Sequence, residues 1–248
     1  MSLRNYIDKL RRYFWFSKVE LLNFFIMVVF LALVASWTEW GAERFDFRSG
    51  VANWIYALLL VGITVFVHHA GQRMMALYLG FYAEQKLWWH GLIISLILVL
   101  ITDGSVKFFA ASSTIAHLLP VHRLGAFRYG PNISTIMKIS VAGPLANIFF
   151  SALVKSLEWG GVIPSVFAER LFVMNLVFAA WNLLPIPPLD GSRLFYYSRL
   201  TYVFMFAAVS SYALLIYWLN IYSYIFAGLI GIAAWLAFYV FFESKWRA

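Results

Sequence analysis

Two histidines and a carboxamide stand within about one helical turn of each other in VFVHHAGQRM, residues 65–74. Imidazole binds metals and exchanges protons near neutral pH, so this grouping has chemical potential. On a helix, His68 and Gln72 are four apart and share a face, while His69 lies about 100° round and three before Gln72. A second concentration is NLLPIPPLDG, residues 182–191. Pro185, Pro187 and Pro188 cannot continue a helix, so they force an extended segment that ends at Asp190-Gly191, with a new helix from about Ser192. A carboxylate at such a break can reach a metal, a cation or a helix N-terminus, or it can simply cap the helix. The third segment is SVAGPLANIFF, residues 140–150, where Gly143-Pro144 loosens a helix and Ala142, Ala146 and Asn147 permit close packing with one polar bond.

The surroundings of these groups are lipid by composition. Hydrophobic residues make up 63% of the 248 and charged residues 12%, against roughly 45–50% and about 25% in soluble domains. A soluble chain of this size cannot hide so much apolar surface from water. Cysteine is absent, which rules out a disulfide scaffold, a thiolate nucleophile and a sulfur metal site. The net charge of +8 would suggest nucleic acid in a soluble protein. Here the basic residues sit at the ends of apolar runs, so membrane lipid is the expected partner and nucleic acid is not.

Residues 1–19 form a basic, aromatic head with the pattern of an interfacial amphipathic helix, and residues 20–248 form the transmembrane domain. Apolar runs at Leu21–Trp37, Val51–Gly80, Ser134–Leu157, Val166–Leu184, Arg199–Leu219 and Ile221–Phe242 predict about six spans. The second run exceeds the hydrocarbon thickness of about 30 Å, so its helix must tilt or protrude. Residues 81–133 differ: AEQKLWW suits a strand, GLIISLILVLIT is too short for a span, and KFFAASSTIAHLLP is mixed. The expected fold is all-α and polytopic, with a short β or re-entrant insertion at 81–133, and with the last two spans joined tightly at Asn220. An even number of spans puts both termini on one side. A cytoplasmic N-terminus leaves fifteen basic residues inside, Arg73, Lys107 and Arg193 among them, against Arg44, Arg48, Lys155 and Arg170 outside. His90, His117 and His122 read as interfacial, since none has a histidine or carboxylate at helical spacing.

Together the three segments resemble the site-2 protease family of intramembrane zinc metalloproteases, over roughly residues 51–200, with an AGPLAN-like segment and an NxxPxPPLDG segment almost intact. The resemblance implies a helix whose HExxH motif supplies two zinc-ligand histidines and a glutamate base, with the Asp of LDG completing the site. Carried onto this sequence, the ligand positions fall on His68, Gln72 and Asp190, and the base position on His69. Asn147, Asn182, Pro185 and Pro187 take substrate-binding positions. The sequence departs from the family in two places, a carboxamide for a ligand histidine and a histidine for the glutamate, and an amide is a poor zinc ligand beside imidazole. The resulting expectation is a catalytically inactive homologue that binds a transmembrane segment of a partner, with zinc possible but no cofactor held at full occupancy. The alternatives are an active intramembrane zinc metallopeptidase with an altered site, which includes a rearranged His68–His69–Asp190 set, and a structural or transport subunit of a membrane assembly.

Overall fold

The computed structural model describes residues 3–41, 44–119, 131–219 and 223–243. The expected contact of the last two spans at Asn220, together with His122, lies outside those residues.

Helix α1 (Leu3–Tyr13) precedes α2 (Lys18–Ala35), whose start is fixed by a capping box: the Ser17 Oγ accepts from the Glu20 N–H at 3.2 Å, and Glu20 accepts from the Ser17 N–H at 2.8 Å. Asp46 caps α3 (Phe47–Leu79), which ends where Gly80 adopts φ 88°. At 33 residues α3 is about 50 Å long, well beyond the hydrocarbon core. The insertion then follows: β1 (Phe81–Leu87), α4 (Trp89–Ile101) and β2 (Ser112–Leu118), with β1 and β2 antiparallel and Leu87 opposite Ser112. Helices α5 (Ile133–Trp159), α6 (Ser165–Asn182), α7 (Asp190–Tyr197), α8 (Arg199–Leu219) and α9 (Ser223–Phe238) complete the chain.

The protein is an all-α polytopic membrane protein with one small two-stranded sheet. Among the described residues five helices, α2, α3, α5, α8 and α9, are long and apolar enough to cross a membrane. Helix α6 occupies the place of the expected sixth span at 18 residues, but it carries Glu169, Arg170, Asn175 and Asn182. Asn175 and Asn182 are buried against protein rather than lipid, so α6 need not be apolar all round.

Two of the basic residues counted on the N-terminal side are placed otherwise by the fold. Arg73 does not reach the interface, being wholly buried on α3. Its guanidinium pairs with Glu20 of α2, donates to the carbonyls of Phe14, Trp15 and Ala83, and lies over the rings of Phe16 and Tyr82 at 4.1 and 4.6 Å. Glu20 also accepts from the Tyr82 hydroxyl and the Gln85 N–H, so one ion pair joins α2, α3 and β1. Lys107 does not lie on the N-terminal side either. Its Nζ donates to the Ala35 carbonyl at 2.7 Å and to the Thr38 hydroxyl at 3.1 Å, at the far end of α2. The reason is α4: about 20 Å long, it carries the insertion to that end before residues 108–118 return to pair with β1.

Removing one partner of a buried ion pair costs about 3–5 kcal/mol, because the other charge stays buried. Arg73→Met and Glu20→Gln should therefore each lower stability in detergent strongly, and the double variant should lose clearly less than the sum. A double-mutant cycle from thermal unfolding measures this, and simple additivity would contradict the coupling.

Candidate functional site

Three backbone devices bring the distant motifs together. The Gly143 backbone lies so close to His68 that a Cβ there would stand 2.5 Å from Nε2, so the imidazole rests on bare α5 backbone. Gly71 meets Ala142 and Ala146 in the same way, which lets α3 and α5 cross closely at the AGPLAN segment. After the prolines, a Cβ on Gly191 would come within 1.9 Å of the Leu183 carbonyl oxygen. Only glycine lets α7 start against the end of α6, and that start places Asp190 beside α3.

The result is a buried carboxylate held from two sides. Asp190 Oδ2 lies 2.9 Å from His68 Nε2, and Oδ1 accepts from Gln72 Nε2 at 2.8 Å. His68, Gln72 and Asp190 are 1%, 1% and 5% exposed, so solvent does not reach the contact. On the other side of the ring, Nδ1 is 3.1 Å from Asn147 Oδ1. The Asn147 amide nitrogen is committed to the Thr64 carbonyl and to Asn175 Oδ1, which fixes its oxygen toward the ring. Nδ1 therefore carries a hydrogen, and one proton lies between Nε2 and the carboxylate: an imidazolium facing a carboxylate, or a neutral ring facing the acid. Gln72 Oε1 accepts from Gln85 Nε2 at 3.0 Å and from the Thr114 hydroxyl at 2.6 Å, which orients its NH2 toward Asp190.

The donor set fits part of a zinc site only. His68 with Nδ1 hydrogen-bonded and Nε2 aimed at a carboxylate resembles a metal-binding imidazole with its outer support. A catalytic zinc takes three protein ligands, and two of them at about 2.0–2.2 Å in tetrahedral array stand about 3.3 Å apart. Here the two candidate ligands are in direct contact, and the third position offers a donor amide. Among the described residues no group of three His, Cys, Asp or Glu could hold a metal ion. A three-ligand catalytic zinc does not fit these residues.

His69 stays out of this cluster. Its Nε2 lies 3.1 Å from the Ser112 hydroxyl of β2, its ring meets the edge of Phe24, and the void beside it measures only about 10 Å³. That is room for about one water and no peptide. Asn182 is buried, with its amide nitrogen on the carbonyls of Phe109 and Phe178. Pro185 and Pro187 face outward. Of the four residues at substrate-binding positions, only these two prolines are accessible.

Comparison with known proteins agrees with the segments that built this site. Over 190 residues the chain is 27% identical to a Methanocaldococcus jannaschii protein named "Putative zinc metalloprotease MJ0611", covering 73% of this chain and 85% of that protein. Over 103 residues it is 31% identical to "Putative zinc metalloprotease YwhC" of Bacillus subtilis, covering 37% of this chain and 46% of that protein. Over most of its length the chain is thus similar to a protein named as a zinc metalloprotease. No family model and no solved structure matches it.

Some members of this hydrogen-bond network have no signal in the sequence. Gln85 and Thr114 come from the insertion, and only strand pairing brings them to Gln72. Asn175 was findable, since it stands seven before Asn182 and so on the same face of α6. His117 also has a carboxylate, Glu84 at 2.8 Å, supplied diagonally across the strands rather than at helical spacing.

Replacing Gln72 by Leu would take from Asp190 Oδ1 its amide donor and from Gln85 Nε2 its acceptor. An unsatisfied buried group costs about 1–3 kcal/mol. Gln72→Leu should thus unfold at clearly lower temperature than the unaltered protein in the same detergent, and an unchanged melt would show that the amide is not engaged.

Proposed function

We propose that this chain is a proteolytically inactive homologue of the site-2 proteases that binds a transmembrane segment of a partner protein. The observation that carries the reading is the contact at Asp190: a carboxamide donates where a third ligand would accept a metal, and His69, at the base position, is turned to Ser112. Water activation by zinc needs the metal held and a base placed beside it, and this chain offers neither arrangement. The fold around the site keeps its small-residue crossing and its proline break, so the frame that would receive a transmembrane segment is retained while the chemistry is not.

The head at residues 1–19 and the excess of basic residues at the N-terminal end support a cytoplasmic placement of both termini. Moving Lys107 to the opposite end and Arg73 into the interior narrows that excess without reversing it. The assembly-subunit alternative draws on a specific observation too, since both ring nitrogens of His68 have partners within the fold and the void beside His69 is only about 10 Å³.

The test is restoration. The unaltered protein should not cleave a transmembrane peptide in detergent or proteoliposomes, with or without added zinc. The double variant His69→Glu with Gln72→His should bind about one zinc, read by metal analysis after dialysis, while each single change does little. Chelator-sensitive cleavage by the unaltered protein would defeat the inactive reading. A folded double variant that takes up no zinc would favour a closed assembly subunit.

A further inference from the structure

Away from the Asp190 cluster, a groove of about 910 Å³ opens between α3, α6 and the turn that carries Lys107. Its lining is graded along the helix axes. On α6 the charged Glu169 and Arg170 stand at the mouth and are followed inward by Val173, Val177 and Trp181, about 18 Å of helix in all. On α3, Asn53 and Tyr56 give way inward to Ala57 and Leu60. Both helices run inward from the same end, the one where α2 finishes. A groove that is polar at a span terminus and apolar toward the span centre matches a molecule that lies along the membrane normal with its head at the interface.

The charges at the mouth select the head. Arg170 is already paired with Glu39, at 3.3 Å. Among the described residues Lys107 has no ion-pair partner: it donates to the neutral oxygens of Ala35 and Thr38, which use two of its three hydrogens. Burial pushes the Lys107 pKa down and nearby Glu39 offsets this only in part, so an anion in contact would be favoured. Glu169 is exposed and has no ion-pair partner among the described residues. Lys107 and Glu169 line the same groove, and each lacks an ion-pair partner among the described residues; together they complement a zwitterion that carries a phosphate and a primary ammonium. A transmembrane helix suits the groove poorly: at 10–12 Å across, roughly two turns of it would fill the whole volume.

We infer that this groove is a binding site for a zwitterionic phospholipid with a primary amine, the phosphatidylethanolamine class, its phosphate on Lys107, its ammonium at Glu169 and an acyl chain along Val173, Val177 and Trp181. The inference is independent of whether the chain cleaves peptides.

The full chain, purified in mild detergent, is titrated with phosphatidylethanolamine, phosphatidylcholine and phosphatidylglycerol of identical acyl chains, and bound lipid is counted by native mass spectrometry. About one phosphatidylethanolamine should be retained in preference to the other two. Lys107→Met should weaken it about tenfold, the loss of one charge-assisted contact. Glu169→Gln should erase the preference over phosphatidylcholine, and Lys138→Ala, on exposed α5 surface, should change nothing. Val177→Trp, which fills the apolar part and leaves the mouth intact, should weaken all three lipids equally. It decides the matter if Lys107→Met does not fold. Equal retention of the three headgroups by the unaltered protein overturns the inference, as does retention indifferent to Val177→Trp. Co-purification of a protein helix in place of lipid would overturn it as well.

Discussion

A carboxylate at membrane depth must be received, and this fold is arranged around receiving Asp190. In lipid an unpaired charge is expensive, and irregular backbone is tolerated only where protein covers it. The proline break supplies the irregular backbone, Gly191 lets it close on α6, and Gly143 leaves room for the imidazole that meets it. Asn147 and Asn175 orient that imidazole from behind, while Gln72, Gln85 and Thr114 extend the contact into the sheet. Elements as far apart in sequence as α3, α5, α7 and β2 are thus tied to one side chain. The buried Arg73–Glu20 pair serves the same end at the next turn of α3, fastening α2 and β1 over it.

The two networks differ in what they need. Arg73 and Glu20 carry formal charges that cancel, with carbonyls and aromatic faces taking up the rest of the guanidinium. At Asp190 the partners are an imidazole and an amide, each in direct contact with one carboxylate oxygen. His69, one residue on and about 100° round the helix, points away from this contact to Ser112.

Much of this was legible in the sequence. The apolar runs located the long helices because each is a continuous stretch with a cap or a break at its end, and the three motif segments named His68, Gln72, Asp190 and Asn147. The strand expected at AEQKLWW, residues 83–89, overlaps β1 at 83–87. What was hidden depends on pairing across long separations. Gln85 and Thr114 look like surface residues of a short sheet until β1 is laid on α3. Arg73 counts as an interfacial charge until its partner Glu20, 53 residues earlier, is brought to it, and helical spacing says nothing about contacts between spans. Lys107 was assigned to the wrong end because a 13-residue apolar helix is too short to count as a crossing, although with its flanking strands it covers the distance.

That last feature bears on how the topology of such chains is mapped. Between α3 and α5 the polypeptide leaves one end of the bundle, turns at residues 102–107 against Thr38, and comes back, so a single inter-span segment reaches both ends of α2. Reporters inserted within it will disagree with one another according to position, and neither answer will be an artefact. Because the chain has no cysteine of its own, any residue along that path can be converted to a unique thiol in the natural background. Labelling by an impermeant reagent then traces the path residue by residue, with no silent sites to remove first.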